Sequence, residues 1–367
     1  MTTDSAWMRV AVDKAREGLG RTAPNPSVGA VLVRDGVVIG LGHTQPAGGP
    51  HAEVMALADA RRQGFDPRGA TLYSTLEPCR HHGRTPPCTD AILAAGIARV
   101  VVGVVDPFPE MRGKSVDLLR GQGVEVALGV EERACADLIV GFARAMSEGL
   151  PEVTLKVAMS LDGAIATVSG ESQWITGEPA RERGHALRSD HDAVLVGIGT
   201  ALADNPRLTC RLQGGHDPVP VVLDTELRLP SDAALLSGSR RAVICCAHDA
   251  PERDLAAEIV RVPRAEGGLD LRQALSALAA RGLHRVLVEG GAGVHRSLLQ
   301  AGLVDHLVAF VAPVLIPGGR VWTGDAALQH LSDALRFEGP PVVETLGQDV
   351  ALRYRLVHRG GVSCSQA

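Results

Sequence analysis

Aromatic residues are scarce. Phe, Trp and Tyr make up 3% of the 367 residues, so the cores must be built from Val, Leu, Ala and Ile. No apolar run approaches the ~20 residues that a helix needs to cross a bilayer, which excludes a helical membrane protein. The start of the chain, Met1-Thr2-Thr3-Asp4-Ser5, is polar and lacks the basic-then-apolar order of a secretory signal. We therefore expect a cytoplasmic protein. Seven cysteines is an odd number, and they form no compact framework, which argues against a disulfide scaffold. Cys135, Cys210, Cys245, Cys246 and Cys364 are expected to stay reduced, and Cys245-Cys246 lies in an apolar, strand-like run that reads as core. The net charge of −5 comes without a basic stripe, so no nucleic-acid partner is expected. No G-x-G-x-x-G is present, so the Rossmann dinucleotide fingerprint is missing.

What is present is ordinary globular composition, 45% hydrophobic and 22% charged, over a length that suggests two domains. Within it stands one concentrated stretch: His51-Ala52-Glu53, then Pro78-Cys79, then Cys88. One imidazole and two thiols form a donor set that Zn²⁺ favours, and a catalytic zinc uses three protein ligands with a fourth position open. A carboxylate beside a metal-activated water is what hydrolytic removal of an amino group from a pyrimidine requires. The zinc deaminase signature is H-x-E…P-C-x-x-C. This chain matches H-x-E and P-C, but eight residues, 80–87, separate Cys79 from Cys88 instead of two. Either the cysteines are ordinary small residues, or the loop between two thiolates is longer in this group of proteins. The insert Arg80-His81-His82-Gly83-Arg84-Thr85-Pro86-Pro87 is polar, basic and turn-rich. It suits a loop that touches an anionic substrate, and equally a solvated turn.

The pattern along the chain alternates. Met8, Ala11, Val12 and Ala15 predict a helix over 5–18. Strands follow at 28–33 and 37–42, with Asp35-Gly36 as a hairpin turn. Asn25, just before the first strand, is either a turn residue or a polar contact to a ring edge. A helix over 51–63 puts His51 and Glu53 in its first turn, where free N–H groups and a partial positive charge suit an anionic oxygen. A strand at 70–74, a helix at 88–95, then strand, helix and strand over 99–128 and a closing helix at 131–148 complete a three-layer α/β pattern. Each metal ligand is expected at or just before a helix start. Gly149-Leu150-Pro151 reads as a boundary. The pattern then restarts with strands at 153–159, 193–196, 219–223, 242–246 and 285–289, and helices at 178–189, 271–280 and 294–301. This argues for a largely parallel sheet, with 306–312, 342–346 and 350–358 adding strands at its edge.

Two stretches in this second half suit phosphate. Glu289-Gly290-Gly291-Ala292-Gly293 leaves a Val-rich strand and enters a helix, the geometry in which backbone N–H groups hold an anion. The run 196–206 also follows a strand, without diagnostic glycine spacing. Arg188, Arg207 and Arg211 lie near both and suit bidentate pairing with phosphate.

Both halves resemble one family, the bifunctional riboflavin-biosynthesis deaminase/reductases. In the first half the resemblance rests on Pro24-Asn25-Pro26-Ser27-Val28-Gly29, on His51-Ala52-Glu53 and on 77–88, whose long Cys-to-Cys loop is the family's own pattern. In the second it rests on Ser160-Leu161-Asp162-Gly163, on 170–176, on Leu202-Ala203-Asp204-Asn205-Pro206 and on Glu289-Gly290-Gly291. Gly177 and Ala292 depart from the family pattern. The resemblance implies a cytidine-deaminase-like three-layer α/β/α domain over 1–148, a dihydrofolate-reductase-like α/β domain over 152–358, and a flexible tail over 359–367. It implies deamination of 2,5-diamino-6-(5-phospho-ribosylamino)pyrimidin-4(3H)-one, followed by NADPH-dependent reduction of the ribosyl group to ribityl. His51, Cys79 and Cys88 would hold one Zn²⁺, and Glu53 would move protons. Ala158, Trp174, Thr200 and Asp204 would contact NADPH, and Gly291, Ala292, Gly293, Val294 and His295 would hold its phosphate. Asn25 would touch the pyrimidine, and Ser172, Arg188, Leu208, Arg211 and Glu289 the sugar-phosphate substrate. A homo-oligomer is also implied.

Two rival readings bear on the same residues. One is a deaminase of a nucleoside or of RNA whose second half only binds; the lack of a basic face argues against RNA. The other is a zinc-stabilised binding protein, in which His81 or His82 closes the metal as a fourth ligand.

Overall fold

In the computed structural model, residues 3–83, 85–324 and 329–356 are described. Arg84, Cys364 and the expected tail over 359–367 lie outside the described residues, as do the last two residues of the strand expected over 350–358. The chain divides into two compact units, Met1–Leu150 with Ala279–His284, and Pro151–Leu278 with Arg285–Ala367. No helix among the described residues is long and apolar enough to cross a membrane.

The first unit runs α1 (Thr3–Arg16), β1 (Gly29–Arg34), β2 (Val37–His43), α2 (Ala52–Arg62), β3 (Thr71–Leu76), α3 (Cys88–Ala94), β4 (Arg99–Val104), α4 (Lys114–Gly121), β5 (Glu125–Leu128) and α5 (Glu132–Glu148). Its sheet has the order β2-β1-β3-β4-β5. β1 is antiparallel to both neighbours, and β3, β4 and β5 are parallel. The face of α1 that periodicity selects is the buried one: Met8, Ala11, Val12 and Ala15. Asp35 and Gly36, both at positive φ, make the expected hairpin turn.

Glycines set how closely the helices approach. A Cβ on Gly29 would stand 2.0 Å from Ala11 O, so α1 lies directly on β1. Gly40 and Gly42 point to the other face, since Gly42 pairs with Ala30, next to Gly29. A Cβ on Gly42 would stand 2.3 Å from Ala52 O, and one on Gly40 2.3 Å from Ala56 O. Helices therefore cover both faces, as the three-layer reading expects. The missing side chain at Gly42 also lets the first turn of α2, with His51 and Glu53, seat against the sheet.

The second unit runs β6 (Glu152–Ser160), β7 (Ala164–Ala166), α6 (Glu178–Ser189), β8 (Ala193–Gly197), α7 (Ile198–Asp204), β9 (Val219–Leu223), β10 (Ala242–Ala247), β11 (Ala257–Val262), β12 (Arg264–Ala265), β13 (Gly268–Leu269), α8 (Leu271–Ala279), β14 (Arg285–Val288), α9 (Ala292–Gln300), β15 (His306–Ala312), β16 (Arg320–Val321), β17 (Phe337–Leu346) and β18 (Asp349–Leu356). Its nine-stranded sheet has the order β11-β10-β9-β8-β14-β6-β15-β18-β17. All pairings from β11 to β15 are parallel, and β17 and β18 close the edge as an antiparallel hairpin. From β8 the chain steps outward to β11. It then returns to place β14 between β8 and β6. This reversal of strand order is where open α/β sheets bind ligands, at the carboxyl ends of the strands.

Several elements differ from the sequence reading: the short strands β7, β12, β13 and β16 were not expected, and three larger differences stand beside them. Residues 198–204 form α7, where no helix was expected; it is a single short element stopped by Asn205 in the left-handed region. β11 was missed because its charged residues, Glu258 and Arg261, break the apolar run. α9 begins at Ala292, not Val294, with Gly291 as its N-cap.

Candidate functional site

Three donor atoms converge in the first unit. His51 is the N-cap of α2, and Cys88 is the first residue of α3. Cys79 lies in the loop after β3. The expectation that it precedes a helix start fails in sequence, yet holds in space. Cys88 N donates to Cys79 Sγ at 3.3 Å, and Thr89 N donates to Cys79 O at 3.2 Å. The free N–H groups at the start of α3 therefore fix Cys79.

His51 Nδ1 lies 3.4 Å from Cys79 Sγ and 3.3 Å from Cys88 Sγ, and all three donor atoms fall within 4.8 Å of one another. Tetrahedral zinc, with bonds near 2.0 Å to nitrogen and 2.3 Å to sulfur, would hold N and S about 3.6 Å apart. The donor set and its spacing therefore fit zinc. Among the described residues no fourth ligand joins the cluster, His81 and His82 included. Three ligands with an open position is the catalytic arrangement, and a structural site would be closed.

The electrostatics agree. A hydrogen bond from Cys88, together with one from His51, holds the Cys79 thiol down at about 4, although burial opposes this. The Cys88 thiol is pushed up by its interaction with Cys79 and by its own burial. The hydrogen bond with Cys79 raises His51, against its burial. The pair thus shares a proton that a metal would displace. Glu53 is 3% exposed and receives hydrogen bonds from Cys88 Sγ at 3.3 Å and Ser74 Oγ at 3.4 Å. Burial pushes its carboxyl up, as a group that must both take and give a proton requires. Asn25, His51 and His81 line one cleft with Pro24, Gly48, Gly49, Gly83 and Thr85, so Asn25, expected to contact the ring, faces the same cleft as His51.

The second unit gathers a different set at the carboxyl ends of β6, β14 and β8. Glu289 takes two hydrogen bonds from Arg188, at 2.7 and 2.9 Å. Arg188 also donates to Thr209 O at 3.0 Å, joining α6, the end of β14 and the 207–211 loop. Burial opposes ionisation of Glu289, but Arg188 and Lys156 outweigh it and pull the carboxyl down to about 2. Thr200 Oγ1 accepts from Gly291 N at 3.0 Å, tying the β8–α7 turn to the start of α9. Gly197 and Gly290 allow this approach: a Cβ on Gly290 would stand 2.8 Å from Gly197 N. Ala158 lies on β6, the strand that pairs with β14, and Ala292, Gly293, Val294 and His295 form the first turn of α9. Burial brings His295 down to about 4, so its ring is neutral.

Other expected contacts are less gathered. Trp174 is 69% exposed, with the Arg181 guanidinium 4.7 Å over its ring, and Ser172 shares its loop. Asp204 and Arg211 are exposed, and among the described residues no hydrogen bond ties either to the Arg188–Glu289 pair. Leu208 is buried at positive φ, held by packing.

The sequence reading missed Lys156. Its Nζ lies 3.6 Å from Glu289 and 5.8 Å over the Phe310 ring. The available signal was a single cation inside the apolar run 153–159. His185, within reach of the charges of Arg188, Arg211 and Glu289, was missed as well.

Comparison with known proteins agrees with both halves. Residues 1–104 match the cytidine and deoxycytidylate deaminase zinc-binding region, and residues 151–352 match the RibD C-terminal domain. Riboflavin biosynthesis protein RibD of Aquifex aeolicus is 40% identical over 355 residues, covering 96% of this chain and 98% of its own length. That of Escherichia coli is 38% identical over 364 residues, covering 95% and 98%. Among solved structures, a diaminohydroxyphosphoribosylaminopyrimidine deaminase/5-amino-6-(5-phosphoribosylamino)uracil reductase from Thermotoga maritima superposes with a TM-score of 0.88 at 38% identity, covering 97% of this chain and 99% of that one. Acinetobacter baumannii RibD gives 0.86 at 39% identity, with the same coverage. With a near-complete match at such identity across a deaminase half and a reductase half, the chain belongs to the RibD family of bifunctional riboflavin-biosynthesis enzymes.

Proposed function

We infer that the chain catalyses two consecutive steps of riboflavin biosynthesis. The first is hydrolytic removal of the 2-amino group of 2,5-diamino-6-(5-phospho-ribosylamino)pyrimidin-4(3H)-one as ammonia. The second is NADPH-dependent reduction of the ribosyl group, giving 5-amino-6-(5-phospho-ribitylamino)uracil. We assign deamination to residues 1–148 and reduction to 152–358.

The convergence of His51 Nδ1, Cys79 Sγ and Cys88 Sγ beside a buried Glu53 carries the deaminase assignment. These three side chains would hold Zn²⁺, which when bound would supply Lewis-acid activation of water at neutral pH. Glu53 would take a proton from the attacking water at its carboxylate oxygen and pass it to the ring nitrogen, then carry a second proton, from the hydroxyl of the addition product, to the departing amine. Asn25 orients the ring within the cleft shared with His51.

In the reductase half, the carboxyl ends of β6, β8 and β14 would hold NADPH, and the N–H groups of Gly291 to His295 would bind its phosphate. Ala158, Thr200, Asp204 and Trp174 would contact the cofactor. Ser172, Leu208, Arg188, Arg211 and Glu289 hold the sugar phosphate. The cofactor supplies the hydride, and these residues supply position and charge.

The test is NADPH consumption by pure protein given the diaminopyrimidine substrate, before and after zinc removal. Consumption is expected to stop without zinc and to resume when the already deaminated intermediate is supplied. No consumption with either substrate, from folded and zinc-loaded protein, would remove the reductase assignment.

A further inference from the structure

Glu77 is a buried carboxylate that the steps above do not use. It is 4% exposed and lies two residues before Cys79, at the end of β3. Its own N–H continues the β3–β4 pairing by donating to Val104 O at 2.9 Å. Its two oxygens accept four hydrogen bonds. Oε2 takes Asp106 N at 3.0 Å and Gly113 N at 2.9 Å. Oε1 takes Ser115 N at 3.1 Å and Ser115 Oγ at 2.6 Å.

These donors have one property in common. They are the two ends of the segment 106–113 and the first turn of α4. The N-cap of α4 is Gly113, which has no side chain to cap the helix. Glu77 therefore caps α4 from a distance, where a carboxylate also meets the positive end of the helix dipole. Two residues further on, Cys79 is fixed in turn by the first turn of α3 through Cys88 N and Thr89 N. Residues 77–79 are thus clamped between the starts of two helices, one end through a carboxylate and the other through a thiol and a carbonyl. Asp106, whose backbone Glu77 holds, stands close enough for the charges of Cys79 and His81 to act on its carboxyl.

We propose that Glu77 is a positioning residue for the deaminase site, fixing the Cys79 sulfur and the 106–113 segment together through its four hydrogen bonds. A buried carboxylate is suited to this task because it only accepts, and all four partners donate. Its glutamine counterpart would point an NH₂ group at two of those donors. Residues that orient metal ligands from behind change metal affinity or activity by about 10–100-fold when replaced.

This inference rests on the zinc reading of His51, Cys79 and Cys88, and the test separates the two. Glu77→Gln is compared with wild type by chelator competition for zinc, by the visible spectrum of the cobalt-loaded protein and by deamination turnover. Far-ultraviolet circular dichroism and the melting temperature serve as the folding control, and reduction of the deaminated intermediate shows that the second unit is unaffected. The expected result is zinc held about 10-fold more weakly, a shifted cobalt spectrum and intact reduction. Wild-type zinc affinity and spectrum in Glu77→Gln would overturn the proposal, as would a drop in melting temperature with neither of those altered. If Glu77→Gln does not fold, Ser115→Ala removes one donor. It should weaken zinc by about 3-fold with a smaller spectral shift, and no change in either overturns the proposal. Wild type that binds no zinc would overturn the metal reading itself.

Discussion

The two halves build their sites from different materials. In the first, three donor atoms meet within 4.8 Å, and all come from one short stretch, 51–88. In the second, the expected contacts come from separate segments between Ala158 and His295, and the tightest interaction, Arg188 with Glu289, is one the protein makes with itself. The difference follows the ligand. A metal ion is held by a few atoms at fixed distances, so its site is complete when those atoms converge. A dinucleotide and a sugar phosphate are held along their length by loops and helix starts. The exposed Trp174 and Asp204 fit a surface of that kind.

The largest effect should fall on the compact site. Glu53→Gln keeps the candidate zinc ligands and removes the group proposed to move protons, so deamination should fall by about 10³-fold. Zinc content and reduction of the deaminated intermediate should be unchanged. Turnover within a few fold of wild type would remove Glu53 from the chemistry.

The next effect should fall on the dispersed site. Glu289→Gln breaks the bidentate pair and leaves Arg188 and Lys156 without their shared anion. Reduction should fall by about 10²-fold while deamination persists, since charge-assisted positioning is lost. The same residue sets a pH window. Its folded carboxyl lies near 2, below the ordinary 4.5, so its ion pair stabilises the fold above pH 4.5 and that contribution is lost as pH falls toward 2. The buried pair makes this worth on the order of 3 kcal/mol. Acid unfolding followed in wild type and in Glu289→Gln should differ in slope between those values. Parallel curves would mean that the pair contributes nothing.

The smallest effect concerns the backbone approach. Gly290→Ala places a Cβ 2.8 Å from Gly197 N and 3.1 Å from Val196 Cα, neither of which is a flexible side chain. The reductase unit should lose about 1–3 kcal/mol by thermal unfolding, with zinc affinity unchanged. An unchanged melting temperature would mean that the two turns separate without cost.

Much of this arrangement was legible along the chain. The buried face of α1, the Asp35-Gly36 turn and the span of α6 follow from local periodicity and turn chemistry. The candidate zinc ligands were legible because a soft donor set is a property of the residue types themselves. Elements whose signal is short or mixed were not legible. α7 is seven residues with Gly199 inside it, and β11 carries Glu258 and Arg261. Lys156 was visible as a cation in an apolar run, but nothing local said which anion it would meet.

By itself the sequence determined which atoms can hold a metal, which carboxylate stands beside them and where the alternating pattern restarts. Side-chain chemistry and near-neighbour spacing carry that information. Only the tertiary structure decided that Cys79 is held by the start of α3, that Glu77 caps α4, and that Arg188 meets Glu289 from 101 residues away. Such pairs depend on strand order and on how closely glycines let backbones approach. Both are set by packing across the sheet, which no local window of sequence contains.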